Sequence, residues 1–244
     1  MTGRLEGWKV GRWMILGMVL CTIPTVQLSG QVGHDPASSP YRDIVLRPAP
    51  VVFVGHLFGD RGRVGAGVSN AFTFGGRYEI PAGRSLLFQL STAYLSGDRY
   101  IIDPRADSTS PARRTGPFKS DVALAEVGLQ LRLTGAKSWH RVAPYVGTAI
   151  GLMFDVNSPG DTTGSGYKFG TKLTIAGATG VRWYPSRRWM ITAEARAHLW
   201  RLKYPVSFHD STQASDGSRV VPLTEPLNDW TLHPWFSLGI GWTF

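Results

Sequence analysis

The feature that most constrains the fold of this chain is an alternation of apolar residues with small or polar ones over long segments. The last segment is the clearest case, because every second residue from Leu232 to Phe244 is apolar. Residues two positions apart point to the same face of a β-strand. The segment therefore predicts a long strand with one continuous apolar face.

The same alternation recurs upstream, and beyond residue 50 no segment has the period of an amphipathic helix. In 123–133 and in 191–199, alanine and larger aliphatic residues alternate with charged and other polar ones. Repetition of this pattern predicts eight strands. They are expected at about 51–58, 64–80, 85–97, 118–134, 142–155, 169–184, 189–205 and 230–244.

The segments between the predicted strands differ in length in a regular way. Short turns are expected at 81–84, 135–141 and 185–188, and long polar loops at 98–117, 156–168 and 206–228. Apart from a short first loop near 59–63, short and long connections alternate. This order predicts an antiparallel up-and-down sheet, in which consecutive strands are neighbours.

An eight-stranded sheet of this kind fits either a soluble barrel, such as a lipocalin, or a membrane barrel, and alternation alone does not separate them. The long apolar faces exceed what one small lumen can hold, whereas lipid requires a continuous outward band. In hydrocarbon the sheet must also close, because an open edge has no hydrogen-bond partner. We therefore predict an all-β fold, a closed antiparallel transmembrane barrel of eight strands.

Aromatic residues cluster near both ends of the predicted strands, which is typical of the two interfacial girdles of a membrane barrel. The alternative is that these rings belong to a soluble core. The predicted girdles consist of Tyr78, Trp183, Trp189, Trp242 and Phe244 near the short turns, and Tyr94, Phe154, Phe169, Trp200, Tyr204 and Trp230 near the long loops.

The N-terminal region has the pattern of an export signal. A basic start is followed by an apolar run at 13–26 and by the small residues Ser29 and Gly30, which predicts a signal peptide over residues 1–30. An uncleaved N-terminal anchor is the alternative. Residues 31–50 are proline-rich and predict a periplasmic linker before a barrel at 51–244. The single cysteine, Cys21, lies within the expected signal, so we expect no disulfide and no cysteine metal site.

The ending WFSLGIGWTF resembles the C-terminal assembly signal of bacterial outer-membrane β-barrels. Together with the short turns and long loops, it makes residues 51–244 resemble the small OmpA/OmpX-type barrel family. The resemblance implies residence in the bacterial outer membrane, periplasmic termini and short turns, and outward-facing long loops. It also implies that the barrel-assembly machinery recognises Phe236, Leu238, Ile240, Trp242 and Phe244.

The face of the strands opposite the apolar one is predicted to line the lumen. It carries the charged and polar residues Arg77, Glu79, Gln89, Glu126, Gln130, Arg132, Lys172, Arg182, Glu194, Arg196 and His198. Because an unpaired buried charge is costly, we expect these groups to pair. Eight strands leave an interior just wide enough for side chains, which favours a packed, salt-bridged plug. A narrow polar or gated pathway is the alternative.

No set of residues predicts catalysis, a cofactor or a metal site. The His209 and Ser211 spacing resembles that of lipid A deacylase barrels, but the pair lies in a loop with no strand to fix it, and a catalytic pair needs an orienting group and an oxyanion site. His56, His140 and His233 show no metal-ligand spacing.

The net charge is +9, but the basic residues are scattered without a run, so nucleic acid is not an expected partner. Lipid headgroups suit a scattered basic surface, and Arg105, Arg113 and Arg114 in the 98–117 loop are either simply solvated or contact headgroups or an adhesion partner. We expect an outer-membrane barrel with a structural or surface-interaction role and no enzymatic activity. The alternatives are a small channel for apolar or small polar solutes and, third, a lipid-modifying enzyme.

Overall fold

The structure, a computed structural model, describes residues 39–243. The expected signal peptide at 1–30 and the C-terminal Phe244 therefore lie outside the described residues, as does the first part of the expected linker.

Eight long strands form the fold. They are β2 (Ala49–Leu57), β3 (Ala71–Pro81), β4 (Leu86–Ile102), β5 (Arg114–Arg132), β7 (Val142–Asn157), β8 (Lys172–Trp183), β9 (Trp189–Lys203) and β10 (Asn228–Trp242). Two short strands, β1 (Tyr41–Asp43) and β6 (Lys137–Trp139), pair with each other. The loops contain two single-turn 3₁₀ helices, Pro111–Arg113 and Val206–His209. Within residues 39–243, no helix is long and apolar enough to cross a membrane.

The eight long strands close into a ring. Each pairs antiparallel with the next long strand along the chain, and β10 pairs with β2, with Trp235 opposite Leu57 and Gly241 opposite Val51. Every strand of the ring therefore has a hydrogen-bonded neighbour on both sides, which removes the exposed edge of an open sheet. The predicted fold, a closed antiparallel up-and-down barrel of eight strands, is confirmed.

The two ends of the barrel differ. The loop end carries four long connections, at 58–70, 103–113, 158–171 and 204–227, named L1 to L4 in chain order. The turn end carries the connections at 82–85, 133–141 and 184–188, together with β1 and the start of β2. Short turns and long loops alternate around the whole ring.

The predicted bounds of the second strand were wrong, because residues 64–70 belong to L1. Gly62 and Gly65 have φ values of +68° and +84°, a left-handed conformation that glycine adopts without steric cost. The chain turns back there, and the amide of Gly67 donates to the carbonyl of Arg61 at 2.9 Å. The first loop is consequently long, like the other three.

Several barrel strands extend beyond their expected limits, whereas β8 and β9 are shorter than the expected strands at 169–184 and 189–205. β2 begins at Ala49 rather than at residue 51, and β4 and β5 continue their ladder to the pair Ile102 and Arg114. L2 is therefore shorter than the expected loop at 98–117. These extra ladder pairs lengthen one side of the barrel beneath the loops.

Candidate functional site

The centre of the lumen holds a network of ion pairs, named here the lumen network. It consists of three arginines, three glutamates and the polar groups bonded to them: Arg77, Arg182, Arg196, Glu79, Glu126, Glu194, Gln89, Gln130, Tyr145 and His198. All these side chains are buried. They come from six of the eight long strands, all but β2 and β10, because each strand directs alternate residues inward.

Glu194 on β9 makes the most contacts in the lumen network. Its Oε2 accepts hydrogen bonds from Arg77 Nη1 at 2.7 Å, from the Tyr145 hydroxyl at 2.6 Å and from Gln130 Nε2 at 3.2 Å. Its Oε1 accepts from Arg196 Nε at 2.5 Å. Four donors on four strands thus converge on one carboxylate. Three of these bonds span part of the barrel interior, whereas the bond from Arg196 stays within β9.

The other two carboxylates extend the network toward either end. Glu79 Oε1 lies 2.8 Å from Arg182 Nη2 and 3.3 Å from Arg77 Nε. Glu126 Oε2 accepts from Arg196 Nη1 at 2.6 Å. Each arginine of the network therefore has at least one glutamate partner.

The glutamines and a histidine complete the connections. Gln130 donates to the Gln89 Oε1 at 2.7 Å and accepts from Arg182. His198 Nδ1 lies 3.3 Å from Glu126 Oε1. Chains of such bonds hold each side chain in one orientation, which favours a fixed plug over a mobile one.

Two of the predicted lumen cations lie at the ends of the network rather than in it. Arg132, near the turn end, donates from Nη2 to the carbonyl of Arg84 at 3.1 Å. Lys172, near the loop end, places its Nζ 5.2 Å from the centre of the Phe169 ring. The network proper therefore contains three arginines and three glutamates and is neutral when its histidine is neutral. Removing one partner from such a buried pair costs about 3–5 kcal/mol, because the other charge is left unpaired.

Small lumen residues make room for the aromatic members. A Cβ built on Gly180 would lie 2.6 Å from the Tyr145 ring, and one built on Gly55 would lie 2.6 Å from Trp235 Nε1. These separations are far shorter than a van der Waals contact, so side chains there would displace the rings. The alternation pattern does not predict this close packing of rings against glycines, because a glycine on the lumen face indicates only a position that favours a strand weakly.

Toward the loop end, the lumen contents change from ionic to aromatic. Trp200 and His233 stack with their ring centres 3.3 Å apart, and Phe53 meets Trp235 edge-on at 5.6 Å. His233 Nε2 lies 2.7 Å from the Thr231 hydroxyl, and His233 Nδ1 accepts from the amide of Asp60 at 3.0 Å. His233 is thus a packing residue that also fixes the base of L1.

Three aromatic residues expected in the girdle lie inside the barrel instead. Trp200, Phe169 and Tyr204 are at most 6% exposed. The parity of β9 explains the first, because Trp200 shares its face with Glu194 and His198. These rings pack in one apolar cluster with residues of the loops. It comprises Phe53, Leu57, Ala66, Val68, Ala71, Ala93, Leu95, Ile102, Val122, Leu124, Met153, Tyr167, Phe169, Trp200, Leu202, Tyr204, Phe208, Val221 and Trp235.

The four loops fold over this cluster and bond to one another, and together they are named the cap. L2 meets L4 where Ser215 donates to Asp107 at 2.6 Å and the amide of Ser108 donates to Asp216 at 2.8 Å. L1 meets L4 through Arg63 and Glu225 at 2.5 Å. L4 also reaches L3. An apolar underside with polar cross-links above it makes the cap a defined surface rather than four independent loops.

L3 contains a tight turn centred on one carboxylate. Asp161 accepts hydrogen bonds from the amides of Thr163, Ser165 and Gly166 at 3.2, 3.1 and 2.6 Å. Burial alone would raise the pKa of Asp161, but these hydrogen bonds to its charged form outweigh burial and lower it below the ordinary value. In the same loop, burial raises the pKa of Tyr167 to about 12.

The loop residues considered for catalysis and contact are engaged within the cap. His209 Nε2 lies 3.1 Å from the Glu225 carbonyl, whereas the Ser211 hydroxyl accepts from Arg219 at 3.0 Å, so the two side chains have different partners. Arg113 donates to the Ala106 carbonyl at 2.5 Å. Within residues 39–243, no group of three or more His, Cys, Asp or Glu side chains is placed to hold a metal ion.

Arg105 of L2 and Arg114, the first residue of β5, also lie against neighbouring groups. Arg114 places its guanidinium 3.8 Å from the centre of the Tyr100 ring, and Arg61 of L1 approaches the same ring at 4.9 Å. A Cβ built on Gly164 would lie 3.2 Å from Arg105 Nη2. Arg105 and Arg114 thus help to pack the cap, and their charges remain at its surface.

The outer surface of the barrel carries the apolar faces predicted from the alternation. Among the residues of the expected assembly signal, Phe236, Leu238 and Ile240 point outward and are 55, 62 and 48% exposed. Trp242 lies 6.2 Å from Trp189 between ring centres, at the turn end. A closed sheet with an outward apolar band and a polar interior is the arrangement of the outer-membrane type of β-barrel. The chain therefore has the fold of an outer-membrane β-barrel.

Comparison with known proteins gives likeness only among solved structures, since no protein-family model and no curated protein sequence matches the chain. The outer membrane protein OprG of Pseudomonas aeruginosa superposes with a TM-score of 0.49 at 12% identity, over 84% of this chain and 99% of that one. Neisserial surface protein A gives a TM-score of 0.45 at 12% identity over 84% and 98%. The N-terminal β-barrel domain of OprF, also from Pseudomonas aeruginosa, gives 0.44 at 11% identity over 83% and 100%. The likeness is one of fold.

Proposed function

We propose that this outer-membrane barrel neither conducts nor catalyses, and that its cap is a surface for interaction with extracellular partners. The observation that carries the proposal is that side chains fill the lumen. A neutral network of three arginines and three glutamates crosses its centre, and an apolar cluster lies between that network and the cap. An ion on this path would have to break charge-assisted bonds and then pass through a desolvated layer, and each step is costly.

The cap has the properties of an interaction surface. Its loops are cross-linked, so little ordering cost remains when a partner binds. Two large apolar side chains of L4 are unusually exposed, Val206 at 77% and Leu223 at 64%. A few apolar anchors within a polar surround are typical of surfaces that bind another macromolecule.

Conductance in planar bilayers tests the closed lumen. Purified full-length protein should give no stable current steps at either polarity, because an ion would have to cross the apolar cluster between the lumen network and the cap. Discrete, reproducible steps that scale with salt concentration would instead support the small channel.

Surface labelling in intact cells tests the orientation of the cap. The only cysteine of the chain, Cys21, lies in the expected signal peptide, so an introduced cysteine gives a specific signal. A membrane-impermeant maleimide should label Val206→Cys at the loop end and leave Ser186→Cys at the turn end unlabelled until the cells are opened. The reverse pattern would place the cap in the periplasm and would contradict the proposal.

Lipid A analysis tests the absence of catalysis. Cells that express the wild-type chain and cells that express His209→Ala should have the same lipid A species, because His209 and Ser211 do not bond to each other. A lipid A species that appears only with the wild-type chain would show that the barrel modifies lipid.

A further inference from the structure

The turn end contains a pocket of about 710 Å³ that the lumen network does not reach. The short strand β1 forms one wall, and the turn at 184–188 with Trp189 forms the other. β1 is held there by β6, with Tyr41 opposite Trp139 and Asp43 opposite Lys137. The segment before the barrel thus builds a site that the ring of eight strands would lack by itself.

Four arginines line this pocket, and one carboxylate accompanies them. The arginines are Arg42, Arg141, Arg187 and Arg188, and the carboxylate is that of Asp43. Among residues 39–243, none of the four guanidinium groups lies within ion-pair distance of an Asp or Glu. Arg141 has a neutral partner, the Pro185 carbonyl, at 3.0 Å from its Nη1. The pocket therefore concentrates positive charge.

Backbone geometry fixes one of these arginines at the pocket. His140 and Arg141 have φ values of +47° and +68°, a left-handed conformation that is uncommon for residues with a side chain. The amide of His140 donates to the Pro40 carbonyl at 2.9 Å, and the amide of Tyr184 donates to the Arg141 carbonyl at 2.8 Å. Strained residues persist where surrounding contacts hold them, and they cluster at functional sites.

The pocket opens beside an exposed tryptophan of the turn end. Trp189 lines it, is 52% exposed and lies beside Trp242. Exposed tryptophans of membrane proteins are enriched at the level of the lipid headgroups. A guanidinium group binds phosphate oxygens through two parallel hydrogen bonds. Several guanidinium groups at one pocket together attract an anion that offers several oxygen atoms, as a phosphate does.

We propose that this pocket binds a phosphate group, supplied by an anionic phospholipid headgroup of the adjacent leaflet. The assignment to a lipid rests on the proposed function, because it requires the turn end to lie at a membrane interface. Phosphate in solution has the same chemistry, and the experiment separates the two sources.

The test uses purified, folded full-length protein in detergent, titrated with phosphatidylglycerol or with zwitterionic phosphatidylcholine, and bound lipid is counted by native mass spectrometry. The double substitution Arg187→Gln and Arg188→Gln should lower the affinity for phosphatidylglycerol by about 25-fold, since each arginine near an anionic headgroup contributes about fivefold. These two side chains make no hydrogen bond within the described residues, and their carbonyls, which contact Thr243, are retained. The barrel should therefore fold normally. Because the complete chain is used, any neutralisation of the pocket arginines by the chain's own termini is already included in the lipid affinity of the wild type.

Arg84→Gln is the matched control, because Arg84 is an exposed arginine of the same end that does not line the pocket. It should bind phosphatidylglycerol like the wild type. Equal affinity of the wild type for both lipids, or an equal loss in the control and in the double variant, would overturn the proposal.

Displacement of the lipid by millimolar inorganic phosphate would identify a site for free phosphate, and retention of the lipid would identify a headgroup site. Binding to the purified protein is independent of conductance and of cell-surface labelling, so failure here and failure of the proposed function are separate results.

Discussion

Arg77 on β3 donates from Nη1 to Oε2 of Glu194 on β9 at 2.7 Å, although two strands, β2 and β10, lie between β3 and β9 in the ring. The bond therefore crosses the lumen. It joins two residues that are 117 positions apart in the chain, so it exists only in the closed barrel. Loss of either charge leaves the other in an interior from which water is largely excluded.

Replacement of Glu194 by alanine should lower the free energy of unfolding by about 3–5 kcal/mol, because Arg77 and Arg196 lose their shared carboxylate and the buried network then holds three arginines for two glutamates. The matched control is Glu225→Ala. That glutamate pairs with Arg63 in the cap with a side-chain exposure of 45%, and an exposed pair contributes about 0–1 kcal/mol. Urea titration in detergent micelles, followed by the heat-dependent gel shift of folded barrels, measures both. Equal midpoints for the two variants would mean that water fills the lumen, and would favour the channel.

Replacement of Trp200 by alanine should also destabilise the barrel strongly, by about 3–5 kcal/mol, because it empties the space between His233 and the cap. Trp230 is the control, because it is a tryptophan at the same level of the barrel that is 58% exposed on the outer surface. It lies opposite Arg201, and the next residue, Thr231, lies opposite Trp200. Trp230→Ala should cost less than about 1 kcal/mol. The same urea titration compares them. A larger cost for Trp230 than for Trp200 would contradict the placement of Trp200 inside.

The sequence predicted the lumen face better than it predicted what fills the lumen. Alternation alone placed Arg77 and Glu194 inward, because parity along a strand decides the face. It could not pair them, since the partner across the lumen depends on how far each strand is shifted along its neighbour. The parity of Trp200 along its strand also indicates the inside. Its prediction as a girdle residue relied instead on its position near a strand end, and that prediction was wrong. The apolar cluster under the cap had no comparable signal, because it joins loop residues such as Phe208 and Val221 that only the folded loops bring together.

Acid should loosen L3, because the pKa of Asp161 is lowered in the folded state. A lowered pKa means that the ionised carboxylate stabilises the loop fully above its ordinary pKa of 3.8, and that this stabilisation disappears as the pH falls through the lower folded value. Amide hydrogen-exchange protection of Thr163, Ser165 and Gly166 should be constant from neutral pH down to about 4 and should decrease below it. Asp161→Asn should show reduced protection at neutral pH and no further decrease in acid. Unchanged protection of the wild type at pH of about 2 would show that the turn does not depend on the charge.

Deletion of Phe244 should impair membrane insertion in cells much more than folding in detergent. The residue ends the apolar face that continues from Phe236, Leu238 and Ile240, and this strand must pair with β2 to close the ring. Until it does, both strands expose unpaired backbone groups, so recognition of the strand end by the barrel-assembly machinery would shorten the exposed state. If Phe244 only filled the girdle, its loss would cost little more than the loss of any other outward aromatic ring.

Phe72→Ala provides that comparison, because Phe72 is an outward aromatic residue, 55% exposed, on β3. Both variants should refold in detergent micelles with the yield of the wild type, as judged by the heat-dependent gel shift. In outer-membrane fractions, the truncated protein should be depleted several-fold, whereas Phe72→Ala should reach the wild-type level. Equal outer-membrane levels of the truncated chain and the wild type would contradict recognition of Phe244 by the barrel-assembly machinery. Phe244 would then be only a girdle residue.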